Sequence, residues 1–385
     1  MNETLLFLTL HFPEGSGGYT FRKKLINILS SIDKLDNIFC LHSDINIEDE
    51  FNKSNVNLLR VSSYNQRSGI LKLLGFIYAQ LKFVYYLIKL RNNYSQVMLM
   101  SGNNFTLSLI FAKLLRKKII FILSGVSGIN MISLYKKSQC FKIHPLKLIY
   151  MGIIALLDEL SLVLSDLIVL ESPNLRNIMN LAKYEEKIHE KGYMYQDISK
   201  FYIKKSINER KNLIGYIGRF DHEKGIMNFV EALSLIEMNK QDIEIIIIGW
   251  GPLYNKIKDK LKQYGLHNVK LLGKIDNDQV PDYLNELKLL VFPSNGYEEG
   301  LPNIVLESMA CGTPVLATPV GGISDVIKNY ETGFILSENS SDIIAKNMIS
   351  ALNYNKLDKI SKNAFELVKH KYKYNTIIEN WKILF

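Results

Sequence analysis

Short apolar runs alternate along this chain with longer stretches of helical period. Runs at Thr4–Leu10, Ile38–Leu41, Val56–Val61, Val97–Met100, Ile119–Leu123 and Leu167–Leu170 predict a first series of strands. A second series is predicted at Leu213–Ile217, Ile243–Ile248, Val269–Leu272, Leu289–Phe292, Pro314–Ala317 and Phe334–Leu336. Ile243–Ile248 reads Ile-Glu-Ile-Ile-Ile-Ile, nearly continuous apolar, as a strand covered on both faces requires. Strand and helix in alternation predict α/β architecture with parallel sheets and helices on both faces. The polar stretch Tyr195–Asn212, rich in Lys and Arg, separates the two series and reads as an exposed connection between two domains.

Length agrees, since 385 residues suit two domains better than one core. Ligands of open α/β sheets bind beyond the carboxyl ends of the strands. Two such domains face to face place a cleft between those ends.

Charge narrows the partner. The formal net charge is +9, which favours an anionic ligand or surface without choosing among them. Cys40, Cys140 and Cys311 are widely spaced and odd in number, so neither a disulfide framework nor a metal site is expected, and a reducing cytoplasm is the simplest setting. The start is not basic and its apolar run is too short for a signal peptide.

Two segments approach membrane composition. Ile70–Arg91 interleaves Lys72, Lys82, Lys89 and Arg91 with aromatic residues, and Leu146–Leu170 contains Asp158, Glu159 and Asp166. These charges argue against transmembrane spans. The first expectation is two largely buried helices, and the second is a basic, aromatic face resting on anionic lipid.

The chemistry-bearing residues sit at predicted strand ends. After the first strand comes Gly15-Ser16-Gly17-Gly18, a glycine turn able to approach an anion, though neither G-x-G-x-x-G nor a P-loop. A plain tight turn is the competing reading. The second domain opens Gly218-Arg219-Phe220-Asp221-His222-Glu223-Lys224-Gly225, where Arg219 and Lys224 offer a planar fork and a compact charge to a diphosphate. A solvated charged loop is the alternative. Trp250, between Gly249 and Gly251, is assigned to packing. Asp276-Asn277-Asp278 is formally a D-x-D, read as a turn in which Asp278 caps the next helix rather than as a metal site.

Gly300-Leu301-Pro302 marks a helix start with Pro near its first position, between Glu299 in a loop and Glu307 inside the helix. Such a helix start attracts phosphate, and carboxylates accept hydroxyl hydrogen bonds from a diol. Gly321-Gly322 reads either as a close approach to a donor sugar or as a turn.

Taken in order, Gly218-Arg219…Glu223-Lys224-Gly225, Gly249-x-Gly251-Pro252, Glu299-Gly300-Leu301-Pro302 through Glu307, and Gly312-Thr313-Pro314…Gly321-Gly322 resemble the motifs of retaining nucleotide-sugar glycosyltransferases of the GT-B fold, family 4. The resemblance is specific over about Leu213–Leu336 and weaker before Asp197. It implies two Rossmann-like domains, over 1–196 for the acceptor and 197–371 for the nucleotide-sugar, with a C-terminal helix over 372–385 crossing back to the first.

The resemblance also implies roles. Arg219 and Lys224 bind the donor diphosphate, Glu299 contacts the transferred sugar (Glu298 being the alternative), and Glu307 binds the ribose. Amides of Gly300 and Leu301 face the phosphate, Gly218 ends the strand beside it, and Gly17 and Gly18 face it from the first domain. One departure concerns the acceptor side. Relatives carry a histidine after the fifth strand, where this chain has Ser124-Gly125-Val126-Ser127, so Ser124 and Ser127 are the acceptor-side candidates, with His144 a weaker one. Lys191-Gly192 replaces the usual Asn-Gly.

The function implied is metal-independent, retaining transfer of a sugar from a nucleotide diphosphate, taken as a UDP-sugar, with no cofactor. The acceptor is a saccharide or lipid-linked saccharide of cell-surface polysaccharide synthesis. The setting is cytoplasmic, at the inner face of the membrane, with an anionic membrane surface as partner and no nucleic acid. Rival readings are a nucleotide-sugar epimerase or phosphorylase on the same fold and an inactive nucleotide-sugar-binding protein. A nicotinamide oxidoreductase is disfavoured because His42, not an acid, follows the second strand.

Overall fold

The computed structural model describes residues 3–9, 17–42, 53–61, 70–100, 105–123, 145–190, 192–236, 242–266, 268–296 and 299–385. The chain forms two compact units, Met1–Met194 with Asn375–Phe385, and Tyr195–Tyr374. The divisions expected from sequence lay after residues 196 and 371.

The first unit is built on β1 (Glu3–Leu8), β2 (Leu35–His42), β3 (Val56–Arg60), β4 (Gln96–Met100), β5 (Lys118–Leu123), β6 (Leu167–Leu170) and β7 (Ile188–His189). They form one parallel sheet in the order β3-β2-β1-β4-β5-β6-β7. Its central strands are buried on both faces, hence their unbroken apolar character. The helices used below are α1 (Gly17–Ser30), α2 (Ile70–Lys89), α3 (Thr106–Leu114) and α4 (Pro145–Leu164).

Phe83 and Leu87 of α2 and Leu109 of α3 join Leu6, Val97 and Leu99 in one core cluster. Yet α2 and α4 are not the largely buried helices expected. Each buries one face and exposes large apolar residues on the other, among them Tyr85 and Leu156. Apolar character all round a helix hides which face is covered.

The C-terminal residues pack in this unit. Trp381 is fully buried, and its indole Nε1 donates to the Gly192 carbonyl at 2.8 Å. Its ring meets Tyr193 edge-on at 6.4 Å, and Tyr193 meets Phe21 of α1 at 4.9 Å.

The second unit contains β8 (Leu213–Ile217), β9 (Glu244–Ile248), β10 (Val269–Gly273), β11 (Leu289–Phe292), β12 (Val315–Ala317) and β13 (Phe334–Ile335), all parallel in the order β10-β9-β8-β11-β12-β13. Strand order reverses between β8 and β11, the switch point where open α/β sheets hold their ligands. Ile214, Ile245, Ile247, Leu289, Val291 and Leu316 supply the sheet side of its core.

Three expectations are corrected. The strand β7 was missed, because two edge residues carry no alternation pattern. The segment Tyr195–Asn212 is not an exposed connection: Phe201, Ile207 and Arg210 are buried in the second unit. Arg210 donates to the carbonyls of Lys205, Leu284, Leu287 and Cys311 and to the Thr313 hydroxyl. Asp278 does not cap its helix. That helix, Val280–Glu286, starts after Gln279 without a side-chain cap, and Asp278 accepts from Lys200 at 2.5 Å. The hydrogen bond from Lys200 holds the Asp278 carboxyl below its ordinary range.

Candidate functional site

The candidate residues of the second unit gather at the carboxyl ends of β8, β11 and β12. The loop after β8 turns through Asp221, whose carboxylate accepts from the His222 amide at 3.2 Å, and a short 3₁₀ turn at His222–Lys224. Gly225 then adopts φ +68°, and a Cβ there would lie 1.9 Å from the Pro293 carbonyl oxygen. Only glycine meets both demands, so the β8 loop seats directly on the end of β11.

That seating fixes a network around one carboxylate. Lys224 donates to Oε1 of Glu299, which is 8% exposed, and the Ser294 hydroxyl donates to the same oxygen at 2.7 Å. Glu223 lies 4.0 Å from the Lys224 ammonium. The Asn295 amide in turn donates to the Glu223 carbonyl at 2.9 Å, locking the loop after β11 to the loop after β8. The hydroxyl of Thr318, after β12, donates to the Ser294 carbonyl.

Arg219 is half exposed and held by two carboxylates. It pairs with Glu223, and its Nε lies 3.5 Å from Asp221. The buried Tyr216 hydroxyl donates to the Arg219 carbonyl at 2.9 Å, fixing the backbone beneath the guanidinium. Burial pushes the Tyr216 phenol well above its ordinary pKa, so it stays a neutral donor. Arg219 and Lys224 thus present two cations on one loop, each balanced by mobile-length carboxylate side chains.

Gly321 packs directly beneath this loop. Its φ is +54°, and a Cβ would lie 2.1 Å from the Glu299 carbonyl oxygen. The Gly322 amide donates to the Gly300 carbonyl at 2.8 Å. The Gly321-Gly322 pair is therefore the seat on which Glu299-Gly300 rests.

The helix that follows spans Asn303–Ala310, with Pro302 as its N-cap residue, so the helix start lies where the sequence places it. Gly300 and Leu301 precede that cap, and Leu301 is buried. Glu307 lies in the middle of the helix and is half-buried. Gly218 ends β8, and its amide donates to the Ile248 carbonyl at 3.0 Å.

Trp250 does not play the packing role assigned to it. It is 57% exposed beyond β9, with its ring 4.3 Å from that of Tyr254.

Gly17 and Gly18 open α1 in the first unit. Gly15, Ser124, Ser127, His144 and Glu298 lie outside the described residues. Among the described residues no group of three His, Cys, Asp or Glu side chains is placed to hold a metal ion. Sequence reasoning missed Ser294, Tyr216 and Arg210. Ser294 alone had a signal, its place directly after the β11 end.

With this geometry in view, comparison with known proteins gives a consistent picture. Residues 197–367 match the family model described as Glycosyl transferases group 1. That match falls within the second unit. The chain is similar to HepE from Anabaena, solved with UDP and glucose, at TM-score 0.72 and 16% identity over 99% of each chain. Its fold is that of the GT-B glycosyltransferases.

Among curated relatives, it is 29% identical over 45% of its length to the capsular polysaccharide biosynthesis glycosyltransferase CapM of Staphylococcus aureus, covering 45% of that protein. It is 26% identical over 51% of its length to N-acetyl-alpha-D-glucosaminyl L-malate synthase of Bacillus anthracis, covering 51% of that protein. The chain spans about half the length of the curated relatives it matches.

Proposed function

We propose that this protein is a retaining glycosyltransferase that moves a sugar from a UDP-sugar to a saccharide or lipid-linked saccharide in cell-surface polysaccharide synthesis. The observation that carries the reading is the clustering of Arg219, Lys224 and Glu299 at the switch point of the second sheet. A structural neighbour solved with UDP and glucose and a relative named for capsular polysaccharide biosynthesis support the choice of donor and of setting. The work is cytoplasmic, at the inner face of the membrane.

In this reading the C1–O bond to the diphosphate breaks through an oxocarbenium-like state. Arg219 and Lys224 stabilise the negative charge that develops on the leaving group, and no metal is required. Glu299 holds hydroxyls of the transferred sugar, and Glu307 holds the ribose. Neither acts as a general base. The acceptor hydroxyl attacks the face that the leaving group departs from, and the leaving phosphate takes its proton. Ser124 and Ser127 remain the acceptor-side candidates, and the amides of Gly300 and Leu301 face the diphosphate.

The test is a panel of nucleotide-sugars, screened first by thermal shift and then for consumption with and without saccharide acceptors, in the presence of EDTA. A true donor raises the melting temperature by mass action. Consumption that depends on acceptor and survives EDTA supports the proposal. Conversion of donor alone indicates an epimerase, and a requirement for inorganic phosphate indicates a phosphorylase.

A further inference from the structure

The helices α2, α3 and α4 leave a broad apolar surface on the first unit. In α2 the inward face carries Phe83 and Leu87, both fully buried, while Leu74, Leu81 and Tyr85 on the outward face are each more than half exposed. α3 packs against both α2 and α4. It exposes Leu114 at 71%, and α4 exposes Leu156 at 68%. Most of the exposed large apolar side chains among the described residues lie on these three adjacent helices. A helix whose outer face meets only water places polar residues there, so a contiguous apolar surface of this kind marks a docking site.

Charge selects the occupant. Neither α2 nor α3 contains an acidic residue. The Lys82 ammonium lies over the rings of Tyr78 and Tyr85, at 5.6 and 5.8 Å, and Lys89 lies 5.7 Å from the Tyr85 ring. Of the two acids in α4, Asp158 is buried and Glu159 is paired with Lys183. Lysines and tyrosines interleaved with leucine and isoleucine suit a boundary where hydrocarbon meets anionic headgroups. A second copy of the chain fits poorly, because the same faces offer Lys82 and Lys89 no unpaired acidic partner in a two-fold contact. Among the described residues no helix is long and apolar enough to cross a membrane.

We infer that the outward faces of α2, α3 and α4 form the surface by which the first unit docks on an anionic lipid bilayer, its apolar residues entering the headgroup boundary and Lys82 and Lys89 contacting lipid phosphates. This deepens the membrane-face setting proposed above by naming the docking surface, and it stands apart from the chemistry of transfer.

The experiment is sedimentation of the full chain with phosphatidylcholine vesicles, with and without phosphatidylglycerol. It compares the wild-type protein with Leu81→Glu/Leu114→Glu/Leu156→Glu and with Lys82→Glu/Lys89→Glu. All five positions lie on the outward faces, and circular dichroism checks folding. Wild-type protein pellets with the anionic vesicles, and added salt weakens the binding. The lysine variant binds at least about tenfold more weakly, since each surface lysine contributes about fivefold. The leucine variant loses binding at both salt concentrations.

Both variants retain transfer to a soluble acceptor where the wild type has it, so loss of docking and failure of the transfer reading are told apart. Absence of sedimentation at low salt overturns the inference, as does binding that both variants retain. A dimer in light scattering that the same substitutions dissolve also overturns it, in favour of a protein interface.

Discussion

Lys224 donates to the carboxylate of Glu299 across 75 residues of sequence, and that contact joins the loop after β8 to the loop after β11. Each residue therefore has two effects, on charge at the site and on the shape of the other's loop. Replacing Lys224 by Ala lowers turnover by about 100–1000-fold, the scale of losing one donor to a developing negative charge. Glu299→Gln keeps the size and removes the charge. The double variant Lys224→Ala/Glu299→Gln loses less than the product of the two single losses, because paired residues couple. Steady-state kinetics on the four proteins read this directly.

Gly321 tests the seat of the Glu299 loop. Gly321→Ala places a Cβ 2.1 Å from the Glu299 carbonyl oxygen at φ +54°. Strain of about 1–3 kcal/mol follows, together with displacement of Glu299 and loss of activity. Gly265 is the control, since its φ is +65° but a Cβ there meets nothing within 4 Å. Gly265→Ala carries the backbone strain and leaves donor turnover unchanged. Melting temperature and turnover of the two variants separate strain from displacement.

Arg210 is a structural hub of the second unit. Its guanidinium ties the end of the Asn303–Ala310 helix, at the Cys311 carbonyl, to Leu284, Leu287 and Thr313. Burial draws its pKa down to about 10, so it is still charged at neutral pH. Arg210→Ala strands several buried acceptors, each at a cost of about 1–3 kcal/mol. Its urea midpoint falls well below that of the wild type, and Arg210→Lys recovers only part of the loss.

Cys311 supplies a pH dependence. Burial pushes its thiol up to about 12, against about 8.5 in an unfolded chain. The folded pKa is raised, so the stability this group contributes is complete below about pH 8.5 and is lost as pH rises toward 12. The urea midpoint of the wild type therefore falls relative to that of Cys311→Ala between pH 8 and pH 10.5. At pH 8 the Cys311 peptide is alkylated by iodoacetamide only after unfolding.

The parts of the fold that were legible in the sequence are those with a local cause. Leu167–Leu170, Leu213–Ile217 and Leu289–Phe292 were read to the residue, because each is an apolar run bounded by polar residues, glycine or proline. The two-residue strand Ile188–His189 had no pattern to read. Arg210 and Asp278 were misread for a shared reason, that their partners lie far along the chain. Lys200 reaches Asp278 over 78 residues, and the acceptors of Arg210 include backbone carbonyls without a sequence signature. In the candidate site the charged residues were legible as types in order. Their mutual pairing, and the use of Gly321 as a seat, depend on loops from three strands and appear only in the fold.

Retaining transfer through Lys224, as proposed above, sets the anomeric configuration of the product. The most direct measurement is proton NMR of the product formed from an α-linked UDP-sugar and a saccharide acceptor, by the wild-type protein and by Lys224→Ala. The expected result is an α-glycoside from the wild type, with EDTA present, and about 100–1000-fold slower formation by the variant. A β-glycoside, or equal rates from the two proteins, contradicts it.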